Sequence, residues 1–134
     1  MLASYFSNDR GVIKVVTEIA DGEDFYCENV LNGKIAVSKV HETANVFAYH
    51  HTRPFWQTHI VVIPKRHISS LISMTIDDDE LLLEMFTVIR LIAGDVVRET
   101  GAARVLTNLG KYQDSKHLHF HIYSGGRLRP DEIT

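Results

Sequence analysis

Short apolar runs separated by turn residues recur along the chain and predict a sheet. Residues 35–40 alternate isoleucine or valine with polar or small side chains, and residues 45–49 form a second run of strand length. A hairpin across residues 42–44 would join these two strands. Residues 59–63 form a largely β-branched run that ends at Pro64, a pattern typical of a buried strand.

The longest periodic segment predicts one helix between Thr75 and Gly101. Thr75 suits the N-cap, the acidic residues 77–80 favour the positive end of the helix dipole, and Gly101 suits the C-cap. Apolar residues between them recur at steps of three and four and predict one broad buried face. This face comprises Leu82, Met85, Phe86, Ile89, Ile92, Ala93, Val96 and Val97.

Three further elements complete the predicted fold. Residues 24–31 suit a short helix that ends at the turn Asn32-Gly33. Residues 103–109 and 118–123 predict two more strands, the second followed by a turn at Gly125-Gly126. About five strands with one long and one short helix predict the α+β class.

The composition fits one domain and excludes several classes of function. Of 134 residues, 45% are hydrophobic and 23% charged, which is typical of a single globular domain spanning residues 1–134. A net charge of -3 argues against a nucleic-acid-binding face. Because we find no secretory leader and no apolar run near the roughly 18 residues of a membrane span, we expect a cytoplasmic protein without membrane contact. The single cysteine, Cys27, excludes an internal disulfide.

Histidine is unusually frequent, and three of the eight histidines fall in the segment His117-Leu118-His119-Phe120-His121. On a strand these imidazoles would project from one face, about 6 to 7 Å apart, while Leu118, Phe120 and Ile122 face the core. Three interpretations fit such a row. They are a metal site, nucleophilic attack on phosphorus by an imidazole, and a pH-sensitive surface strand.

The residues upstream of the row favour phosphate chemistry. Asn108 stands at a predicted strand end, and Gln113 and Asp114 lead toward the histidines. Together with the intervening glycine turn, they would surround an anion mostly with neutral donors. A hard metal would require more carboxylates than Asp114 alone. Lys116 alternates away from the row and is expected to be peripheral.

The histidine segment resembles the signature of the histidine-triad family, in which three histidines alternate with apolar residues. Residues 58–68, Thr-His-Ile-Val-Val-Ile-Pro-Lys-Arg-His-Ile, are similar to the second conserved block of that family. The resemblance covers residues 24–129 and is most like the Hint branch of nucleoside phosphoramidate hydrolases. It implies a single domain with an antiparallel sheet, and a homodimer.

The resemblance also implies an enzyme that cleaves a nucleoside phosphoramidate, or a related nucleotidyl ester or anhydride, at the α-phosphorus. His119 would attack phosphorus and form a nucleotidyl-histidine intermediate, which water hydrolyses with no cofactor required. His117 and His121 would orient it and bind the phosphate or the leaving group, and His59 would complete a four-histidine pocket. The phosphate-binding positions would be Asn108, Gln113 and Asp114.

The nucleoside side of the implied site departs from the family pattern. Its residues would be Phe25, Tyr26, Val30, Tyr49, His51 and Thr52. His51 stands where the family has an aspartate that holds the ribose hydroxyls, and Thr52 replaces an apolar residue. A purine nucleoside monophosphate conjugate is the expected ligand, but the bidentate acceptor for its ribose is gone. Asp114 stands where serine or threonine is common and adds negative charge near the phosphate.

Some family members bind structural zinc through a Cys-x-x-Cys pair and two histidines. Here Asp24 takes the first cysteine position, so the candidate ligands are Asp24, Cys27, His59 and His117. A lone cysteine is more often a small buried side chain, and we expect no zinc requirement. Two alternatives to the enzyme stay open. One is a nucleotide- or partner-binding module with incidental activity, and the other is a histidine metal-binding protein.

Overall fold

One antiparallel sheet and one long helix form the body of the protein. The computed structural model describes residues 26–130, in which the strands are β1 (Lys39–Glu42), β2 (Val46–His50), β3 (Trp56–Pro64), β4 (Arg104–Thr107) and β5 (Phe120–Arg127). They are ordered β1-β2-β3-β5-β4, and every neighbouring pair is antiparallel. Helix α1 (Asp79–Thr100) covers one face of the sheet. The predicted α+β class is therefore confirmed.

The C-terminal end of α1 forms as the sequence predicts, but the predicted N-cap, Thr75, is not the N-cap of α1, which is Asp78. Thr75 caps a 3-10 turn (Ile76–Asp78) that runs directly into α1, and its side chain accepts a hydrogen bond from the Asp77 amide. Gly101 ends the helix with φ of 94°, a left-handed conformation that glycine adopts without strain. The buried face is narrower than predicted, since Phe86 and Val97 are exposed and Val88 is buried instead.

The main core lies between α1 and the sheet. Ile60 and Val62 of β3 join Phe120 and Ile122 of β5 in this core, and Leu118 joins them from just before β5. The expected inward row of Leu118, Phe120 and Ile122 is thus confirmed. Strand geometry directs the intervening residues to the opposite face.

A second buried cluster occupies the face away from α1. Val61 and Ile63 of β3 pack there with Tyr49 of β2 and with Tyr26 and Val30. Tyr26–Val30 form a single π-helical turn, closed by the Leu31 amide donating to the Tyr26 carbonyl at 2.7 Å. The predicted short helix at 24–31 is represented by this turn, and its first two residues lie outside the described residues.

Several predicted strand boundaries are wrong. The first strand begins at Lys39 rather than residue 35, and β5 begins at Phe120 and continues through Gly125-Gly126, where a turn was predicted. Gly125 has φ of 88°, and a Cβ there would overlap the Gln57 side chain, which accepts a hydrogen bond from the Gly126 amide. The glycines thus accommodate an irregularity in the β3–β5 pairing instead of reversing the chain.

Within residues 26–130, no helix has both the length and the apolarity needed to cross a membrane.

Candidate active site

The three clustered histidines lie at the start of β5, on the face away from α1. His121 is on the strand, whereas His117 and His119 precede it, so the prediction that one strand carries all three is wrong. The imidazoles of His119 and His121 still lie together, with ring centroids 5.1 Å apart. All three residues are almost completely buried.

The tautomer of His119 is set by a backbone carbonyl. Its Nδ1 lies 2.7 Å from the His117 carbonyl oxygen, and since a carbonyl can only accept, Nδ1 carries the proton. The lone pair of the neutral ring is therefore on Nε2. Thr107 steadies the same segment, because its hydroxyl donates to the His119 carbonyl at 2.6 Å. In the neutral state, Nε2 of His119 therefore carries the lone pair that a nucleophilic imidazole requires.

His59 and His121 form a hydrogen-bonded chain that begins at a backbone amide. The Phe55 amide donates to Nδ1 of His59 at 3.1 Å, which places the His59 proton on Nε2. That Nε2 lies 2.9 Å from Nδ1 of His121 and donates to it. The His121 proton is consequently on its own Nε2. The prediction that His59 belongs with the histidines of the triad agrees with this contact to His121.

Burial keeps His59 neutral. Desolvation, with a smaller contribution from the positive form of His119, lowers the pKa of His59 to about 3. Two uncharged imidazoles can share the 2.9 Å hydrogen bond without repulsion. At neutral pH the chain of donors from Phe55 to His121 is therefore intact.

His51 joins this group from the end of β2. Its ring stacks on His59 with centroids 4.3 Å apart and lies 6.1 Å from the His121 ring. The Arg53 amide donates to Nδ1 of His51 at 3.0 Å, so the proton of the neutral ring is on Nε2. Desolvation and the neighbouring histidines hold the pKa of His51 well below its usual range. Thr52, the next predicted residue, is half-buried beside it.

Of the predicted nucleoside residues that the structure describes, Tyr26 packs directly against two histidines of the triad. The Tyr26 ring lies 4.9 Å from the His119 ring and 5.6 Å from the His117 ring. Tyr26, Tyr49 and Val30 are buried members of one apolar cluster. Phe25 lies outside the described residues. A role for these side chains in binding a base stays a prediction.

The predicted phosphate-binding residues lie in the segment that leads into the histidines. Gln113 donates from Nε2 to the Ser69 carbonyl at 2.6 Å, which ties this segment to the chain after β3. Asp114 and Ser115 are almost completely buried. The side-chain nitrogen of Asn108 is buried and has no hydrogen-bond partner among residues 26–130. Contact of these three predicted residues with phosphate stays a prediction.

His117 belongs to a group of possible metal ligands. The Nε2 of His117 donates to the Pro64 carbonyl at 2.8 Å, so the lone pair on its Nδ1 is directed toward Cys27 Sγ at 3.4 Å. Cys27, His67 and His117 offer ligand atoms within 4.8 Å of one another. An imidazole that donates its other N–H to a carbonyl has the form common in metal ligands, so these three residues fit zinc.

This group corrects the predicted zinc ligands at one position. His67, not His59, lies with Cys27 and His117, because β3 carries His59 to the cluster of His51 and His121. Asp24 lies outside the described residues. Zinc held here would be structural, since it would join the Tyr26–Val30 turn to the end of β3.

His51, His59 and His121 also offer one ligand atom each within 4.8 Å of one another, but the tautomers of these rings oppose metal binding. Backbone amides donate to Nδ1 of both His51 and His59. Coordination through Nε2 would leave neither ring nitrogen protonated, which requires an imidazolate or the loss of these hydrogen bonds. The arrangement instead presents neutral N–H donors.

Sequence reasoning missed the backbone amides that control the site. Those of Arg53 and Phe55 set the tautomers of His51 and His59, yet an amide leaves no signal in the residue type. His67 could have been found, because it follows the predicted strand at Pro64 and lies near His117 once the strands are paired.

The stability of the protein should fall as the pH decreases from about 6.5 toward 3. The unfolded imidazole protonates near pH 6.5, whereas folded His59 stays neutral down to about 3, so the unfolded chain binds more protons in that window. The lowered pKa of His51 acts in the same direction. Each such histidine reduces the free energy of unfolding by up to ~1.4 kcal/mol per pH unit.

Urea unfolding at a series of pH values measures this dependence. We expect His59→Gln to reduce the slope of unfolding free energy against pH by the equivalent of about one bound proton. This reduction is expected whatever the effect of the substitution on stability at neutral pH. An unchanged slope in this variant would show that His59 does not contribute.

Comparison with known proteins assigns the family. The HIT-domain family model matches residues 32–127. An "Uncharacterized HIT-like protein" of Chlamydia muridarum is 36% identical over 102 residues, covering 75% of this chain and 81% of that protein. Thus the fold and the buried histidines are those of a histidine-triad (HIT) protein, and the chain belongs to the HIT family.

Solved structures agree with this assignment. A histidine triad protein from Clostridium difficile is 33% identical, with a TM-score of 0.67, and the match covers 81% of this chain and 96% of that one. A HIT family hydrolase from Legionella pneumophila is 27% identical, with a TM-score of 0.69, over 80% of this chain and 96% of that one.

Proposed function

We propose that the protein hydrolyses a nucleoside phosphoramidate, or a related nucleotidyl ester or anhydride, through a nucleotidyl intermediate on His119. The hydrogen bond from Nδ1 of His119 to the His117 carbonyl carries this proposal, because it leaves a lone pair on Nε2. Membership of the HIT family and similarity to a HIT family hydrolase support it at the level of reaction class.

In the first step, Nε2 of His119 attacks the α-phosphorus and the bond to the leaving group breaks. A leaving amine takes up a proton from water. The substituted imidazole becomes positively charged, and the carbonyl of His117 stabilises this charge by accepting its Nδ1–H. His121, with its proton on Nε2, donates to a phosphate oxygen. Water then attacks phosphorus and the bond from phosphorus to Nε2 breaks, which restores neutral His119 and releases the nucleoside monophosphate. The proton lost by the attacking water neutralises the hydroxide that formed when the leaving amine took up its proton.

No step of this reaction requires a metal. Zinc held by Cys27, His67 and His117 would contribute only to structure. It would be bound by the side chain of His117, whereas the His119 imidazole is oriented by the His117 backbone carbonyl.

A panel of substrates tests the reaction class. One purine nucleoside phosphoramidate, one acyl-adenylate and one dinucleoside polyphosphate are incubated with the purified protein, and release of nucleoside monophosphate is measured. We expect turnover of at least one, with the phosphoramidate preferred. Absence of turnover on all three would refute the proposed hydrolysis.

The alternative is a nucleotide-binding module with incidental activity, favoured by the imidazole at position 51 and the buried carboxylate of Asp114. Thermal-shift measurements with adenosine and guanosine monophosphates separate the cases. Stabilisation by a nucleotide without turnover would favour the module. No stabilisation at millimolar concentration would contradict both.

We also propose that the protein forms a homodimer through the edge of its sheet. β4 is an edge strand, and Val105 on it is 43% exposed. Phe86 of α1 contacts Phe120 of β5, the strand beside β4. The exposed part of Phe86 therefore adds to the apolar surface that begins at Val105. Burial of such a surface favours self-association.

Light scattering during size-exclusion chromatography should give twice the chain mass for the wild type. Val105→Lys should shift the protein toward monomer, since a charge would enter the interface. Ile76→Lys, at a position that is 81% exposed on another part of the surface, is the matched control. A monomeric wild type at all concentrations would refute the dimer.

A further inference from the structure

Tyr26 is fully buried beside the proposed nucleophile. The centre of its ring lies 4.9 Å from that of the His119 ring, and the two ring planes are inclined by 45°. Two rings that met edge to edge would have more widely separated centres, so one of these rings presents its face to the other. The Tyr26 ring also lies 5.6 Å from the His117 ring and 6.5 Å from the Tyr49 ring. The surrounding rings therefore hold Tyr26 against His119.

The proposed reaction gives the His119 imidazole a positive charge. When Nε2 bonds to phosphorus, Nδ1 keeps the hydrogen that it donates to the His117 carbonyl, so the ring becomes a cation. The charge disappears when water breaks the bond from phosphorus to Nε2. The carbonyl is a neutral acceptor, so it offsets only part of the charge. A further group that stabilises the charged ring more than the neutral ring accelerates the attack on phosphorus.

We infer that the face of the Tyr26 ring stabilises the positively charged imidazole of His119 through a cation–π interaction while Nε2 is bonded to phosphorus. The inference rests on the proposed function, since it concerns the intermediate of that reaction. A cation within about 6 Å of the centre of an aromatic face is attracted to it, and the 4.9 Å separation satisfies this distance. His119 is only 1% exposed, and exclusion of water strengthens such an interaction. Tyr26 acts through the imidazole and is therefore a positioning residue for the proposed hydrolysis.

A series of fluorinated rings at position 26 tests the inference. Fluorine withdraws negative charge from the face of a ring and changes the size of the ring little, so the series weakens a cation–π interaction while the packing remains. Tyr26→Phe is the starting variant, and phenylalanine analogues with one, two and three fluorine atoms are then incorporated at the same position. Circular dichroism verifies that each protein is folded. The measured quantity is kcat/KM for whichever substrate of the panel is hydrolysed fastest.

We expect Tyr26→Phe to keep most of the wild-type kcat/KM, since the ring remains. Each added fluorine should lower kcat/KM further, by about fivefold in total with three fluorine atoms. Tyr26→Leu, which has no ring, should lower it about five- to thirtyfold. An unchanged or rising kcat/KM along the fluorine series would overturn the inference. A loss in Tyr26→Phe as large as that in Tyr26→Leu would also overturn it, because the hydroxyl would then carry the effect.

Binding of nucleoside monophosphates separates this role from stacking of a base on Tyr26. Calorimetric titration with adenosine and guanosine monophosphates should give the same Kd along the fluorine series, because no bond to Nε2 of His119 forms when these ligands bind. A Kd that weakens in parallel with kcat/KM would assign the effect to base binding and overturn the inference.

Phe47 provides the matched control. Its ring packs beside Tyr49 with centres 5.8 Å apart, and the rings of Tyr49 and Tyr26 connect it to His119 only indirectly. The same fluorinated analogues at position 47 should leave kcat/KM unchanged. An equal decline at both positions would show that fluorine acts through the packing of the cluster, which would contradict the role of Tyr26.

The wild-type protein separates failure of the inference from failure of the proposed function. Hydrolysis by the wild type with a flat fluorine series refutes the role of Tyr26 and leaves the proposed function standing. Absence of hydrolysis on the whole panel refutes the proposed function, and the inference, which depends on it, falls with it.

Discussion

His119→Ala should lower the rate of hydrolysis at least ~10³-fold, because the variant lacks the nitrogen that attacks phosphorus. His119→Asn should show the same loss while keeping a polar side chain near the His117 carbonyl. Nucleotide binding should largely survive in both, since other groups of the site remain. Steady-state kinetics on the preferred substrate measures the loss, and calorimetric titration with nucleoside monophosphate measures the binding.

His50→Asn is the matched control for this experiment. His50 is an exposed histidine at the end of β2, and its side chain points away from the face that carries His51 and His59. We expect wild-type turnover from it. Undiminished hydrolysis by the His119 variants would exclude the covalent mechanism.

Ile122→Ala should destabilise the fold by about 2 to 4 kcal/mol, the usual range for removing a large aliphatic side chain from a packed core. Ile122 is fully buried where β5 pairs with both β3 and β4, beneath α1. Its loss leaves a cavity that the strands on either side cannot close easily. Urea unfolding should show a lower midpoint with an unchanged dependence on denaturant.

Ile72→Ala provides the comparison, because Ile72 is 75% exposed. Surface substitutions of this kind usually change stability by less than about 0.5 kcal/mol. A similar loss in both variants would contradict the position of the core between α1 and the sheet.

The sequence was sufficient to predict those parts of the fold that have a local cause. The cap at Gly101 depends on neighbouring backbone groups and forms as expected, whereas Thr75 caps the 3-10 turn before α1 instead of α1 itself. The alternation of Leu118, Phe120 and Ile122 indicates which side of β5 faces α1. Gly125-Gly126 misled the prediction, because glycine serves a turn and a strand irregularity equally well.

The sequence was sufficient to predict which residue types form the site, but it did not predict the hydrogen bonds among them. Alternation brought His119 and His121 together, but the pairing of β3 with β5 decided that His59 meets His121 while His67 meets His117. The proton positions depend on carbonyls and amides from distant segments, which no side-chain pattern encodes. Tertiary structure therefore supplied the chemistry that the histidine spacing left open.

Two backbone amides in the loop of residues 51–55 donate hydrogen bonds to imidazoles. The Arg53 amide donates to His51, and the Phe55 amide donates to His59. Both contacts come from the main chain, so many replacements of the side chains at these positions should be silent toward the protonation pattern. A change that alters the path of the loop, such as Pro54→Gly, could instead misplace both protons while every histidine remains in the sequence. Inactive natural variants of this protein should therefore be sought in this loop as well as among the histidines.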